Sequence, residues 1–154
     1  MIQKTIIDIP SQAVTFFHEM HDKLTVTHDQ SLRFGTTGTI PIKATSGPFA
    51  ELLNQMNAAI GRLVTKPWQY KGLWSNRIKK GGFHVQHTHP DGWMSGIVYL
   101  DVPDNTSGHL KFEEGKLIPM TGDVVIFPST TPHEVTEYQS DKPRLTVVFD
   151  LVPA

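Results

Sequence analysis

The chain contains no cysteine, and that one absence removes disulfides, thiolate metal ligands and thiol nucleophiles together. Any metal it holds must sit on histidine and carboxylate. It also lacks an excess of either charge: 14 Lys+Arg against 15 Asp+Glu give a formal net charge of −1, so the basic field that draws nucleic acid or an anionic membrane is missing. No apolar run approaches the roughly 20 residues of a membrane span. The stretch Met1 to Pro10 carries one lysine among interspersed isoleucines and has no continuous apolar core. These absences lead us to expect a cytoplasmic protein that engages neither nucleic acid nor membrane.

The 154 residues, 38% of them hydrophobic and 19% charged, suit a single globular domain with one core. We expect residues 1–67 to form a helical front with loops and residues 68–154 a β core. Ile2 to Ile9 reads as a short strand stopped by Pro10. Ser11 can cap a helix over Gln12 to Leu24 with Val14, Phe17, Met20 and Leu24 on one side. His18 and His21 fall in that helix at i, i+3 spacing and read as partly exposed helix histidines. The turn formers of Thr27 to Ser46 indicate a loop with at most one short strand. Ser46 as N-cap, Pro48 in the first turn and Phe49, Leu52, Leu53, Met56, Ala59, Ile60 and Leu63 at helical spacing predict a second, core-covering helix.

After Pro67 the apolar period changes to two. It predicts strands over Trp68 to Ile78, Phe83 to His89, Met94 to Val102, Leu110 to Phe112, Val124 to Phe127, Glu134 to Tyr138 and Arg144 to Val152. Two helices followed by a long antiparallel run indicate an α+β, mainly β fold, with the β part a sandwich or a barrel.

The chemistry-bearing stretch is Phe83 to Asp91, Phe-His-Val-Gln-His-Thr-His-Pro-Asp, which follows two glycines. Residues i and i+2 of a strand share a face about 6–7 Å apart, so His87 and His89 can bite one metal, whereas His84 has the opposite parity. His89 and Asp91 form an overlapping pair. His133, at the start of a later strand, is the natural third ligand. A facial set of this kind leaves three coordination positions open, as an oxygen-activating Fe(II) site requires. A structural zinc site or an incidental histidine cluster has the same spacing. Arg144, on the apolar strand Arg-Leu-Thr-Val-Val-Phe-Asp-Leu-Val with Thr146 on the same face, supplies a fixed cation suited to a bidentate grip on a carboxylate. A plain salt bridge is its bland alternative.

From roughly Trp74 to Leu151 these residues resemble the Fe(II)- and 2-oxoglutarate-dependent oxygenases. The pattern of the prolyl-hydroxylase-like branch, a Gly and Phe before a His-x-Asp pair and then a Tyr-Leu strand, appears as Gly81-Gly82-Phe83, His87-Thr88-His89 and Tyr99-Leu100. The later pattern Pro-x-x-Gly-Asp-x-x-x-Phe, then His and Arg, is similar to Pro119 to Phe127, His133 and Arg144. More narrowly, His89-Pro90 followed by Ser95-Gly96-Ile97-Val98-Tyr99, with Trp74 and Asn76 upstream, resembles an oxygenase subgroup common in bacteria and phages.

The resemblance implies a double-stranded β-helix (a jelly-roll, cupin-like barrel) and Fe(II) on His87 and His133. The third ligand is His89, where the family has aspartate, or Asp91 if the motif slides by two residues. It further implies 2-oxoglutarate held by Arg144 and Thr146, with Tyr99 and Asn76 assisting. The reaction would be hydroxylation of a peptidyl residue or small metabolite with consumption of O2 and release of succinate and CO2. Trp74, Phe83, Trp93 and Tyr99 are candidate pocket walls. Two other readings compete. A cupin has Gly-x5-His-x-His, satisfied by Gly81 to His89, but its following glutamate is absent, positions 93 and 94 being Trp and Met, and it has no need of Arg144. A non-catalytic β-sandwich binding or structural module would make the histidines incidental.

Overall fold

A computed structural model describes residues 1–24, 32–40 and 47–154. Helix α1 (Ser11–Asp22) begins directly after Pro10, which is itself the N-cap, so Ser11 is the first helical residue and not the cap. Its buried positions are Ala13, Phe17 and His21. Helix α2 (Pro48–Leu63) follows Gly47, whose φ of 78° is a conformation few side chains tolerate, and buries Phe49, Leu52, Met56, Ala59 and Ile60. The expected cap Ser46 lies outside the described residues.

Among the described residues nine strands form one antiparallel sheet: β1 (Gln3–Ile6), β2 (Leu32–Thr39), β3 (Trp68–His87), β4 (Met94–Asp101), β5 (Leu110–Phe112), β6 (Gly115–Leu117), β7 (Asp123–Pro128), β8 (His133–Val135) and β9 (Arg144–Pro153). The order is β1-β7-β4-β9-β3-β8-β5-β6, with β2 on β3. Strand β2 is the one strand allowed for in the expected loop, and it runs eight residues. Its glycines serve close packing as well as turns: a Cβ on Gly35 would sit 2.5 Å from the Arg77 carbonyl oxygen on the paired strand.

Strand β3 organises the sheet. Two expected strands are one element that changes partner midway. Residues 68–78 pair with β9, and His84 and His87 pair with β8. Between them, residues 79–82 bulge opposite Phe34 of β2, where the register jumps from Arg33↔Phe83 to Gly35↔Ile78. Gly81 takes φ 85° there, Phe34 takes φ 53°, and a Cβ on Gly82 would meet the Phe34 carbonyl oxygen at 2.7 Å. A bulge increases local twist, and this one curls the sheet so that its two halves face each other.

Strand alternation then sorts the side chains. On β9, Leu145, Val147, Phe149 and Leu151 join Phe17, Leu52, Met56 and Ile60 in the core between sheet and helices. Arg144, Thr146, Val148 and Asp150 point into a cavity of about 740 Å³ enclosed by the curl. Ile97 and Tyr99 of β4 and Trp74, Asn76 and Ile78 of β3 line the same cavity. Among the described residues no helix is long and apolar enough to cross a membrane.

Candidate metal centre

The switch of partner on β3 brings the histidines together. His87 of β3 stands directly opposite His133 of β8, the cross-strand position at which side chains interact most strongly. His89 lies just past the strand end, fixed by its backbone N–H to the Ser129 carbonyl at 2.8 Å. One ring nitrogen from each of His87, His89 and His133 lies within 4.8 Å of the others. The ring centroids are 4.3 Å (87–133), 5.0 Å (89–133) and 5.2 Å (87–89) apart.

The outer sides of the rings are anchored. His87 Nδ1 donates to the Val85 carbonyl at 2.7 Å, His133 Nδ1 to the Thr131 carbonyl at 2.9 Å, and His89 Nδ1 to the Asp150 carboxylate at 2.8 Å. A neutral imidazole that donates through Nδ1 carries its lone pair on Nε2, so three Nε2 acceptors are oriented by their surroundings. His89 Nε2 is buried with no hydrogen-bond partner among the described residues. An orphaned buried lone pair on His89, close to a ring nitrogen of His87 and of His133, fits a cation. Burial lowers the His133 pKa to about 4 despite its bond to Thr131, keeping the ring in the neutral form that a metal requires. Asp91 lines the cavity but is exposed and stands outside the cluster.

The same cavity is lined by Arg144, 1% exposed. Its Nη1 donates to the Gly108 carbonyl, and its Cζ lies 5.7 Å and 5.5 Å from the Tyr99 and Tyr138 ring centres. Among the described residues no carboxylate pairs with it, its Nε has no partner, and burial pulls its pKa down. A buried cation held by π faces and one carbonyl is under-compensated, and a ligand carboxylate completes it. The bland expectation, a salt bridge, is absent among the described residues. Tyr99, Thr146 and Asn76 occupy one row across β4, β9 and β3. All three border the cavity, with Asn76 Oδ1 accepting from Thr37 Oγ1 at 2.8 Å. The Tyr99 hydroxyl is pushed up to about 12 by burial and stays a donor.

Of the four candidate walls, Trp74 and Tyr99 line the cavity, Trp74 stacking on His89 at 5.8 Å. Phe83 and Trp93 do not; Trp93 packs on the helix-side core. His84 is a correction. The register shift between His84 and His87 cancels the parity difference, and His84 lines the cavity with its pKa lowered to about 3 by burial. His21 is another: instead of being partly exposed it is fully buried, its Nδ1 on Thr36 Oγ1 at 2.6 Å and its Nε2 on Ser75 Oγ at 2.9 Å. Asp150, Ser95 and Ser129 were not foreseen. The signal for Asp150 was available, since it shares the parity of Arg144 and Thr146 on β9.

The sequence profile of the family described as "Putative 2OG-Fe(II) oxygenase" matches residues 72–121 and 111–150. The chain belongs to this family. The oxygenase accordingly takes Fe(II) and 2-oxoglutarate, and the histidine cluster and Arg144, which no carboxylate pairs among the described residues, fit them. Its fold is that of solved double-stranded β-helix proteins. A viral collagen prolyl hydroxylase from Paramecium bursaria Chlorella virus-1, in complex with 2-oxoglutarate, superposes with a TM-score of 0.75 at 12% identity, covering 99% of this chain and 96% of that one. A Pseudomonas putida prolyl-4-hydroxylase gives 0.72 at 16%, covering 99% and 92%. HygX of Streptomyces hygroscopicus, with nickel, 2-oxoglutarate and hygromycin B bound, gives 0.71 at 14%, covering 99% and 83%. No curated protein matches the oxygenase sequence at a significant level.

Proposed function

We propose that the oxygenase is a 2-oxoglutarate-dependent hydroxylase with His87, His89 and His133 as its iron ligands, and that its substrate is a peptidyl residue or a small metabolite. The observation that carries this is the pairing, in one cavity, of three converging imidazoles with a buried arginine that has no carboxylate of its own among the described residues. With its co-substrate bound, iron in such a site supplies oxygen activation, coupled to conversion of 2-oxoglutarate and O2 to succinate and CO2.

The remaining work belongs to the chain. His87 and His133 face each other across a strand pair and need little reorganisation to ligate. His89, not the exposed Asp91, takes the third place. Arg144 holds the distal carboxylate of the co-substrate through its guanidinium, with Thr146, Tyr99 and Asn76 presenting hydroxyl and amide groups from the same row. The aliphatic wall of Ile78, Ile97 and Val148 keeps water from that end. A cupin would leave Arg144 without a task, and family membership argues against that reading.

Anaerobic addition of Fe(II) and 2-oxoglutarate is expected to give a visible charge-transfer absorption, and admission of air to yield succinate. Arg144→Ala should weaken 2-oxoglutarate binding by more than tenfold, since one charge-assisted hydrogen bond is worth about 1.5–3 kcal/mol. A folded, iron-loaded protein with no such absorption and no loss of 2-oxoglutarate overturns the reading and leaves a non-catalytic module.

A further inference from the structure

Three neutral imidazoles leave the iron site with the full +2 charge of the metal, where two imidazoles and a carboxylate would leave +1. The cavity contains a buried negative group at one remove. Asp150 Oδ1 accepts the Nδ1–H of His89 at 2.8 Å and the Ser95 hydroxyl at 2.6 Å, and Ser95 Oγ is 2.8 Å from Ser129 Oγ. The Asp150 and His89 side chains are 17% and 10% exposed. No lysine or arginine within ion-pair distance neutralises Asp150 among the described residues; its ion-pair partner is His89.

We infer that Asp150 is the displaced carboxylate of this centre: a positioning residue that fixes the His89 ring, sets its tautomer and returns part of a negative charge to the metal through the imidazole. The inference rests on His89 being a ligand. Geometry favours it because Asp150 is over-determined. It sits mid-strand on β9, its parity points it into the cavity, and the Ser95 hydroxyl, itself bonded to Ser129, holds the Oδ1 that meets the ring. The backbone around it is equally fixed: Asp150 pairs with Ser95 across β9 and β4, and Trp93 N–H binds the Leu151 carbonyl at 2.8 Å. A carboxylate serving only to tie strands together would not need to meet an imidazole whose other nitrogen is buried and, among the described residues, orphaned. Carboxylates in this position raise the basicity of the ligating nitrogen and usually change metal affinity tenfold to hundredfold.

The test is Co(II) binding to the full chain, followed by titration and by the visible d–d spectrum. Asp150→Asn keeps the shape and an acceptor oxygen, so folding is expected to survive; it should weaken Co(II) binding about tenfold to hundredfold and shift the spectrum, with Asp150→Glu recovering part of the loss. Ser95→Ala, which removes one hold on the carboxylate, should act in the same direction more weakly and keeps the question answerable if Asp150→Asn does not fold. On a His89→Asp background, which has no ring N–H, Asp150→Asn should lose most of its effect, whereas a purely structural role would make the two changes additive. Wild-type Co(II) affinity and spectrum in Asp150→Asn, with binding lost in His89→Ala, overturn the role of Asp150 and leave the ligand set standing. Undiminished binding in His89→Ala overturns the ligand set, and this inference with it.

Discussion

The molecule holds two groups of closely spaced histidines with opposite fates. In α1, His21 has both ring nitrogens saturated by the Thr36 and Ser75 hydroxyls, and His18 Nε2 meets Asp101 at 2.8 Å. The Arg77 guanidinium lies close enough to depress the His21 pKa further, after burial, to about 4, so a cation has no reason to enter. In the cluster at the end of β3 the rings donate through Nδ1, one ring nitrogen of each lies within 4.8 Å of the others, and His89 Nε2 has no hydrogen-bond partner among the described residues. Burial alone does not make a ligand; the difference is where the second nitrogen points.

The comparison breaks first at the metal. His87→Ala or His133→Ala should each weaken Fe(II) or Co(II) binding by well over the hundredfold ceiling usual for a residue behind a ligand, while leaving the urea midpoint of the metal-free chain little changed. His21→Ala should do the reverse. Metal binding stays, and stability falls by about 2–4 kcal/mol from the cavity and the two stranded hydroxyls.

A pH series sharpens it. In the metal-free chain His21 and His133 titrate at about 4 and His84 at about 3, below the ordinary 6.5. The unfolded state therefore binds more protons in the window between, so stability is whole above pH 6.5 and declines as pH falls toward 4, by at most about 3 kcal/mol per imidazole. His21→Gln should flatten that slope by one proton. Added metal competes with protons at His133 and leaves the His21 share untouched. The smallest effects come from the exposed groups: Asp91→Ala should retain metal within a factor of about three, and His18→Ala should cost no more than about 1 kcal/mol, as for a partly exposed pair.

Much of this was legible in residue spacing. The i, i+2 pair His87 and His89, the distant His133 and the shared parity of Arg144 and Thr146 all follow from the strand repeat, and the structure seats them in one cavity. What spacing could not give was register. The bulge at residues 79–82 joins two expected strands, the register shift between His84 and His87 brings His84 to the site face, and nothing in a period-two count announces an inserted residue. The glycines of β2 read as turn formers because the packing of Gly35 against the Arg77 carbonyl and of Gly38 against Met20 is a tertiary fact. His21 looked peripheral because its hydroxyl partners come from β2 and β3, 15 and 54 residues away.

Strand β9 lies inside the sheet, between β4 and β3, and pairs Pro153 back to Trp68. It carries Arg144, Thr146 and Asp150 together. A chain emerging from the ribosome through β8 thus already possesses His87, His89 and His133, yet has an unfilled slot where β9, with the proposed co-substrate grip, belongs. Closing that slot joins residues far apart in sequence and is expected to be the slow event in folding. The order of synthesis therefore works as an interlock: under the proposed assignment, the residues that hold 2-oxoglutarate arrive with the strand that joins β4 to β3, so the grip and the sheet around it are completed in one event.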